Sequence, residues 1–529
     1  MTKNFYVTSP IYYVNDAPHI GHAYTSVACD VIARFKRNQG CKTFFLTGTD
    51  EHGQKVEKSA IDKGKSTQEL CDENSEKFKE LAKNLQLSNN DFIRTTQERH
   101  KTCAQKFWQL LEEKGAIYKG VYEGWYAVRD EAFYSEDEIV DGKAPSGAEV
   151  KWEKQESYFF KLSEYENKLL ALYEAVPDFI RPKSKMNEVV SFVKSGLKDL
   201  SISRNSFSWG IKVPGSEKND EKEHIMYVWL DALTNYLSAL GFASEDEKLY
   251  QDFWQNTSES PLHIVGKDIL RFHGVYWPAF LMAAGINLPH SVYAHGWWTN
   301  EGEKISKSVG NVIKPQEEID WIKSFGADND TAIDYFKYFL MREIRFGNDG
   351  DYRRDAILNR INTELSNNIG NLAQRSLSMI NKNNEGLLVD ISKYEDEANP
   401  LKNIEKMQEN LAKKMTDLAF DDAIGEIINF ASNCNQFLND KAPWKLKKEG
   451  KEDEMNQILS VIANCLAIIG INMAPFLPNL SLKLLGLLNL DENNYKLGDI
   501  LQENHKIGET KIVFPKLDLT ALLRETTKS

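Results

Sequence analysis

The start of the chain alternates between strand and helix patterns, and this alternation limits the possible folds more than any other feature. Residues 4–9 form a short run typical of a strand, and residues 19–38 follow with apolar residues at helical spacing that end at Gly40. A second strand is predicted over residues 42–47. Such a βαβ unit builds parallel sheets, whose ligands bind beyond the carboxyl ends of the strands.

The predicted elements divide the chain into four parts. Residues 1–115 and 226–350 are predicted to be two halves of one Rossmann-like catalytic domain with a parallel sheet, because strand and helix patterns resume after a break. The break, residues 116–225, is rich in Tyr, Trp, Val and Phe with Gly and Pro turns, which predicts a β-rich insertion. From about residue 352 to 488 the pattern is almost wholly helical and predicts a bundle, so residues 351–529 are predicted to be a helical domain with a tail, in which residues 513–515 fold back on the body of the protein. The fold class is therefore α/β, followed by an α-helical domain.

Two helix starts carry the pattern Ser/Thr-x-x-Glu, in which each side chain can bond to the other residue's backbone N–H. They are Ser66 with Glu69 and Thr95 with Glu98, and each opens an apolar-periodic run. Gly115 is placed to close the second of these helices.

Composition indicates a soluble globular protein of a reducing cytoplasm. Charged residues make up 27% of the 529 residues, and no uninterrupted run of about 18 apolar residues predicts a membrane span. The six cysteines form no CxxC pair, which argues against disulfides and against a cysteine zinc site. The net charge of −13 argues mildly against broad nucleic-acid binding, although residues 441–451 form a local basic stretch.

A histidine motif lies at the predicted start of the first helix. His19 and His22 are three residues apart and so share one helix face, while Gly21 has no side chain where a base or ribose would press on the backbone. Helix starts also present oriented N–H groups that suit phosphates. Taken alone, the pattern fits a chance HxxH or half of a metal site equally well, although no third ligand is evident nearby.

A lysine motif, KISKS at residues 304–308, lies in a polar loop rich in Gly and Asn. The ammonium groups of Lys304 and Lys307, beside the hydroxyls of Ser306 and Ser308, could stabilise the negative charge that develops on a phosphate during its transfer. By itself such a sequence is more often a solvated charged turn. In this order and at this separation, the two motifs together indicate a split ATP site.

Eight segments extend this pattern along the chain. They are TSPIYYVNDAPHIGHAYT (8–25), TGTDEHG (47–53), ESYFF (156–160), YVWLDALTNY (227–236), VGKDILRFHGVYWPAFL (265–281), KISKS (304–308), NIGNLAQR (368–375) and APWKL (442–446). In this order they resemble the methionyl-tRNA synthetases, a family of class I aminoacyl-tRNA synthetases, over nearly the whole chain. The family usually has Met where this lysine motif has Ile305. The resemblance implies that L-methionine is activated with ATP to methionyl-adenylate and passed to tRNA(Met), both initiator and elongator.

The resemblance also implies a methionine pocket, in which aromatic groups contact the thioether and a carboxylate binds the substrate ammonium. The pocket residues would be Pro10, Ile11, Tyr13, Asp50, Trp229, Leu233, Tyr236, Ile269, His273 and Trp277. Asp50 would bind the ammonium, and His273 would distinguish methionine from hydrocarbons, directly or through a tyrosine hydroxyl. Leu233 stands where some relatives carry Pro. From spacing alone, core packing accounts for the aromatic residues equally well.

The two motifs receive roles from the same resemblance. His19 and His22 would contact ATP phosphates, and Gly21 would make room for adenosine. Lys304 and Lys307 would stabilise the departing pyrophosphate, and Ser306 and Ser308 would take part in binding ATP. Mg²⁺ on the phosphates is the expected metal. The family often carries zinc knuckles, but residues 116–223 contain neither Cys nor His, so no zinc is expected.

Three residues of the helical part are implied to read the anticodon. Trp444 would stack on an unpaired base, and Asn371 and Arg375 would bond to base edges. A surface pair on a helix and an aromatic residue at the edge of the bundle are the plainer interpretations. The chain ends without the RNA-binding and dimerising domain that some relatives append, so we expect a monomer.

Three other functions stay open at this point. A nucleotidyltransferase could use a similar His-x-Gly-His site, although such chains are usually shorter and lack the helical part. A noncatalytic RNA-binding relative could keep the fold, but the two intact motifs argue against it. A synthetase for leucine, isoleucine or valine would need a larger insertion for its editing domain.

Overall fold

The fold is described from a computed structural model that covers residues 3–130, 132–134, 136–216, 223–305, 310–491 and 499–518. The strands, in chain order, are β1 (Asn4–Tyr13), β2 (Lys42–Asp50), β3 (Asp91–Arg94), β4 (Ile117–Ala127), β5 (Ala132–Tyr134), β6 (Lys151–Phe160), β7 (Ile180–Arg181), β8 (Leu200–Ser201), β9 (Ser203–Arg204), β10 (Ile225–Met226), β11 (Leu262–Gly266), β12 (Ser291–His295), β13 (Trp298–Asn300), β14 (Glu303–Lys304) and β15 (Gly350–Tyr352). The chain divides into two units. The first holds residues 1–18, 36–83 and 87–295, and the second holds residues 19–35, 84–86 and 296–529.

Six strands form the main sheet of the first unit, in the order β3-β2-β1-β11-β12-β7. Every neighbouring pair in this sheet is parallel. Strand β1 therefore lies between β2, the next strand along the chain, and β11, which comes much later. This is the switch point of a doubly wound sheet, where ligands bind beyond the strand ends. The predicted parallel-sheet domain, interrupted in sequence, is confirmed.

The predicted insertion is only partly β-rich. Strands β5-β4-β6-β8 form a four-stranded antiparallel sheet. Two helices that were not expected, Glu166–Ala175 and Lys183–Lys194, lie between β6 and β8 in the chain, and β7 between them joins the main sheet. Met186, Val189 and Val193 are all buried, at the spacing of one helix face. Helical periodicity thus decides the structure here, although the aromatic composition of the region favours strands.

One capping prediction is confirmed. The backbone N–H of Ser66 donates to the Glu69 carboxylate at 2.9 Å, and that of Glu69 donates to the Ser66 hydroxyl at 3.3 Å, where the helix Thr67–Asn84 begins. Gly115 follows the helix Glu98–Glu113 with φ of +69°, the left-handed conformation of a closing glycine. Among the residues described for the first unit, the remaining α-helices of six or more residues are Gln54–Asp62, Val228–Leu233 and Trp277–Ala284.

The second unit combines a short hairpin with a helical bundle. Strand β13 pairs antiparallel with β14 and parallel with β15. The two turn residues, Glu301 and Gly302, have φ of +52° and +81°, which suits the right-handed twist of a two-residue hairpin. The longer helices are Pro315–Ser324, Asn329–Arg342, Arg354–Arg360, Asn371–Asn383, Ile404–Thr416, Phe420–Lys441, Glu452–Met473 and Pro478–Leu487, with π-helical Ile361–Gly370. The helix Ile20–Asn38 begins in this unit.

The centre of the bundle is the helix Glu452–Met473. Among the residues that the structure describes, it alone is long and apolar enough to cross a membrane, but 78% of its most apolar stretch is buried. That burial is typical of a core helix. The tail folds back on the bundle as predicted, since the hydroxyls of Tyr335 and Ser366 both donate to the carbonyl of Pro515.

A buried ion pair stabilises the second unit. The Lys337 ammonium donates to Oδ2 of Asp30 at 3.1 Å, and both side chains are only 1% exposed. Arg34 donates to the same oxygen at 2.9 Å. Such a pair depends on both partners, because removing one leaves a buried charge without compensation.

We expect Asp30→Ala to lower the stability of this unit by about 3–5 kcal/mol, because the Lys337 ammonium loses its acceptor. Urea unfolding followed by circular dichroism measures the change. The double variant Asp30→Leu, Lys337→Met removes both charges and should recover most of the loss. A double variant as unstable as the single one would contradict this account.

Candidate active site

The predicted pocket residues of the first unit come from β1, the end of β2, the helices before β11 and the segment after β11. Tyr13 and Asp50 end β1 and β2 and are paired in register. Helices that precede β11 supply Trp229, Leu233 and Tyr236, and the segment after β11 supplies Ile269, His273 and Trp277. Pro10 and Ile11 lie on β1 beside an irregularity of its pairing with β2. Leu233, Tyr236 and Trp277 belong to one apolar core, against which Ile11, Tyr13, Trp229 and Ile269 pack.

A buried hydrogen-bond chain links two of these residues. Nδ1 of His273 donates to the carbonyl of Ile269 at 3.0 Å, and the Tyr236 hydroxyl lies 2.7 Å from Nε2. Burial lowers the pKa of His273 to about 4, against a weaker raising effect of the Ile269 carbonyl. The ring is therefore neutral near pH 7, with its proton on Nδ1, and Nε2 accepts the Tyr236 O–H.

Aromatic rings surround this pair. The Trp229 ring stacks on Phe272 with centroids 3.6 Å apart and lies edge-on to His273 at 6.2 Å. Tyr236 lies 6.1 Å from Trp277. The group is apolar and polarizable, with one hydrogen-bonded polar pair inside it. That chemistry suits a thioether side chain.

The loop after β2 is fixed by buried polar contacts. Asp50 is 8% exposed, and the next residue, Glu51, is fully buried. The Arg94 guanidinium donates to both carboxylate oxygens of Glu51, at 2.6 and 3.0 Å. The capping prediction for Thr95 was wrong, because its hydroxyl instead accepts the backbone N–H of Glu51 at 2.9 Å. The helix Glu98–Glu113 begins without a side-chain cap.

In the second unit, the histidine motif forms a compact turn. The ring centroids of His19 and His22 are 3.9 Å apart. The backbone N–H of His19 donates to Nδ1 of His22 at 3.0 Å, and that of Gly21 donates to Nδ1 of His19 at 3.1 Å. Burial and the neighbouring His19 hold the pKa of His22 well below its usual value. Its neutral ring therefore carries the proton on Nε2, as a hydrogen-bond donor.

The space beside Gly21 is filled by protein. A Cβ at this position would lie 2.9 Å from Cε1 of His19. A side chain at this position would therefore have to displace the His19 ring.

The lysine motif lies only partly within the described residues. Lys304 ends the hairpin, in register with Thr299, and nothing is described of its side chain. Ser306, Lys307 and Ser308 lie outside the described residues. The motifs nevertheless share one unit, because the N–H of Ile20 donates to the carbonyl of Ile313 at 2.9 Å.

Two of the three predicted anticodon residues are in contact. The Arg375 guanidinium lies over the Trp444 ring, 5.2 Å from its centroid, and also donates to Asn439 at 3.1 Å. Trp444 is 37% exposed. Asn371 is exposed one turn before Arg375 on the helix Asn371–Asn383.

Sequence reasoning missed several residues around the aromatic group. Phe272 stacks on Trp229, and Asp231 bonds to His52 and His100 through its two carboxylate oxygens. One signal was present, since Asp231 is a lone acid in the apolar run VWLDAL. Its partners are distant in sequence and carry no local signal.

The chain was compared with known families. Residues 5–149 and 144–377 match the family described as tRNA synthetases class I (M). Residues 391–518 match the anticodon binding domain of methionyl tRNA ligase.

Relatives and solved structures agree with these families. The methionine–tRNA ligase of Rickettsia conorii is 50% identical over 528 residues, covering 98% of this chain and 100% of the relative. That of Brucella suis is 47% identical and covers 94% of each. Mycobacterium tuberculosis methionyl-tRNA synthetase in complex with methionyl-adenylate superposes with a TM-score of 0.90 at 41% identity, covering 97% of this chain and 100% of that one. The chain belongs to the methionyl-tRNA synthetases, which are class I aminoacyl-tRNA synthetases.

Proposed function

We propose that this chain carries out the reaction of its family, the ATP-dependent joining of L-methionine to tRNA(Met), with the residues named above. The hydrogen-bonded Tyr236–His273 pair within the aromatic group carries the assignment of methionine. Asp50 binds the substrate ammonium, and the thioether lies among Trp229, Tyr236 and Trp277. The remaining residues of the proposed pocket are Pro10, Ile11, Tyr13, Leu233, Ile269 and His273.

The first step needs no protein base, because a methionine carboxylate is already ionised at neutral pH. A carboxylate oxygen attacks the α-phosphorus of ATP, the bond from that phosphorus to the bridging oxygen breaks, and pyrophosphate leaves. In the second step, a hydroxyl oxygen of the terminal ribose of tRNA attacks the methionyl carbonyl carbon, the bond from that carbon to the phosphate oxygen breaks, and AMP leaves with the hydroxyl proton passing to its phosphate. Catalysis therefore depends on positioning and on stabilising phosphate charge.

A neutral His22 suits the ATP role. His22 offers Nε2–H to a phosphate oxygen without taking up a proton, and His19 is held against Gly21 in a similar way. Lys304 and Lys307, with Ser306 and Ser308 beside them, are proposed to stabilise the negative charge of the leaving pyrophosphate.

The proposed metal ion is bound by the substrate ATP and not by a site of the protein. Among the residues that the structure describes, no group of three or more His, Cys, Asp or Glu is arranged to hold an ion. Mg²⁺ is proposed to bind the triphosphate itself. A cysteine zinc knuckle does not fit residues 116–223, which lack Cys and His, so no step is assigned to zinc.

The helical part is proposed to bind the anticodon of both initiator and elongator tRNA(Met) through Asn371, Arg375 and Trp444. The proposed organisation keeps residues 1–115 and 226–350 as catalytic halves, 116–225 as the insertion and 351–529 as the anticodon domain. We further propose that the protein acts as a monomer in the cytoplasm.

Because burial holds the pKa of His273 at about 4, we expect the KM for methionine to be constant from about pH 5.5 to 7.5. A protonated ring could not accept the Tyr236 hydroxyl, so binding should weaken only as the pH falls toward about 4. Methionine-dependent pyrophosphate exchange measures this. A KM that rises around the ordinary histidine pKa of 6.5 would contradict it.

Lys307→Ala should slow pyrophosphate exchange by about 10²-fold, the scale lost with one electrostatic donor. Methionine binding, followed by tryptophan fluorescence, should stay intact. Lys314→Ala is the matched control, since Lys314 is an exposed lysine of the same unit paired with Glu317 at 2.7 Å. Unchanged exchange in Lys307→Ala would refute the assignment.

Trp444→Ala should raise the KM for tRNA about tenfold or more, because stacking of one base contributes about 1–3 kcal/mol. Pyrophosphate exchange without tRNA should be unaffected. Trp444→Phe keeps a ring for both the base and Arg375 and should retain most of the charging activity. Equal damage to exchange and charging would mean that Trp444 is structural.

A further inference from the structure

Four buried side chains of the first unit form what we call the Asp231 cluster, made of Asp231, His52, His100 and Ser238. Oδ2 of Asp231 lies 2.7 Å from Nδ1 of His52, and Oδ1 lies 2.7 Å from Nε2 of His100. Nδ1 of His100 lies 2.9 Å from the Ser238 hydroxyl. None of the four residues is more than 3% exposed. Each carboxylate oxygen thus has its own N–H donor.

The cluster connects the elements that carry the proposed methionine pocket. His52 follows Asp50 by two residues, and Asp231 lies midway between Trp229 and Leu233 on the helix Val228–Leu233. The bond from His52 to Asp231 therefore ties the loop with the proposed ammonium ligand to the helix with the aromatic wall. His100 holds the same carboxylate from the helix Glu98–Glu113.

A buried, hydrogen-bonded carboxylate fixes the position of the loop relative to the helix more narrowly than apolar packing does. Burial raises the pKa of Asp231, but His52 and His100 together lower it by more, to about 2, so the carboxylate is ionised. Two directional bonds to that carboxylate allow one placement of the loop against the helix. Apolar contacts of similar area would tolerate small shifts, and a buried ion pair is weak evidence for stability alone.

A metal site does not account for these residues. The ring nitrogens bond directly to the carboxylate oxygens, and the second nitrogen of His100 faces a hydroxyl. The four side chains form a hydrogen-bonded relay.

We propose that Asp231 is a positioning residue, which through His52 and His100 fixes the Asp50 carboxylate relative to the Trp229 wall and thereby sets the affinity for methionine. The inference rests on the proposed roles of Asp50 and Trp229. It adds a determinant of amino-acid binding that lies behind the pocket.

The first test is Asp231→Asn in the full-length protein, assayed by pyrophosphate exchange. The amide keeps the size and one acceptor oxygen but turns an NH₂ group toward one histidine donor. We expect the KM for methionine to rise about tenfold or more, since small displacements in a site have effects of this order or larger. The KM for ATP and the thermal midpoint should change little.

A pair of variants at His52 separates positioning from folding. His52→Ala removes the donor and should reproduce the rise in the methionine KM. His52→Asn places an amide N–H near the former Nδ1 and should restore most of the affinity. If Asp231→Asn fails to fold, this pair decides the question.

Asp334→Asn is the matched control. Asp334 is an equally buried carboxylate of the second unit, which accepts the backbone N–H of Leu480 at 2.8 Å, and its variant should leave the methionine KM unchanged. An unchanged methionine KM in both Asp231→Asn and His52→Ala would overturn the inference, as would parallel losses in both KM values, turnover and stability. A wild-type protein without methionine-dependent exchange would instead refute the proposed function.

Discussion

Strand β1 pairs in parallel with β2 on one side and with β11 on the other, and the proposed methionine site depends on both pairings. The register with β2 continues to Tyr13 and Asp50, so these residues end at the same edge of the sheet. The pairing of Val7 with Leu262 brings the segment with His273 and Trp277 to that edge from a distant part of the chain. If either pairing shifted by one residue, every inward side chain would turn to the opposite face.

Charge is buried in this protein where donors surround it. Glu51 accepts the Arg94 fork and the hydroxyls of two threonines, and Asp30 accepts Lys337 and Arg34. These networks hold loops and helices that apolar contacts alone would leave less defined. Since a half-satisfied network is worse than an apolar core, each of them must form completely.

Local patterns predicted the fold well, and non-local contacts explain what they missed. The parallel sheet, the bundle and the Ser66 cap follow from periodicity and from residues a few positions apart. Strand β1 extends past Pro10 to Tyr13, although a proline usually ends a strand prediction, because the pairing with β2 is irregular there. The motifs named most of the candidate site, whereas the partners of Asp231 lie 179 and 131 positions away. No short stretch of the sequence contains both partners of such a contact.

The amide of Asn362 donates to the carbonyl of Leu517 and accepts its N–H, a reciprocal pair between positions 155 residues apart. During synthesis, this contact cannot form until the tail has left the ribosome. At about 5–20 residues per second, the intervening chain takes roughly 8–30 s to make. For that interval the buried face of π-helical Ile361–Gly370 lacks its last covering segment, so this part of the nascent bundle stays open to chaperones and proteases until the tail arrives.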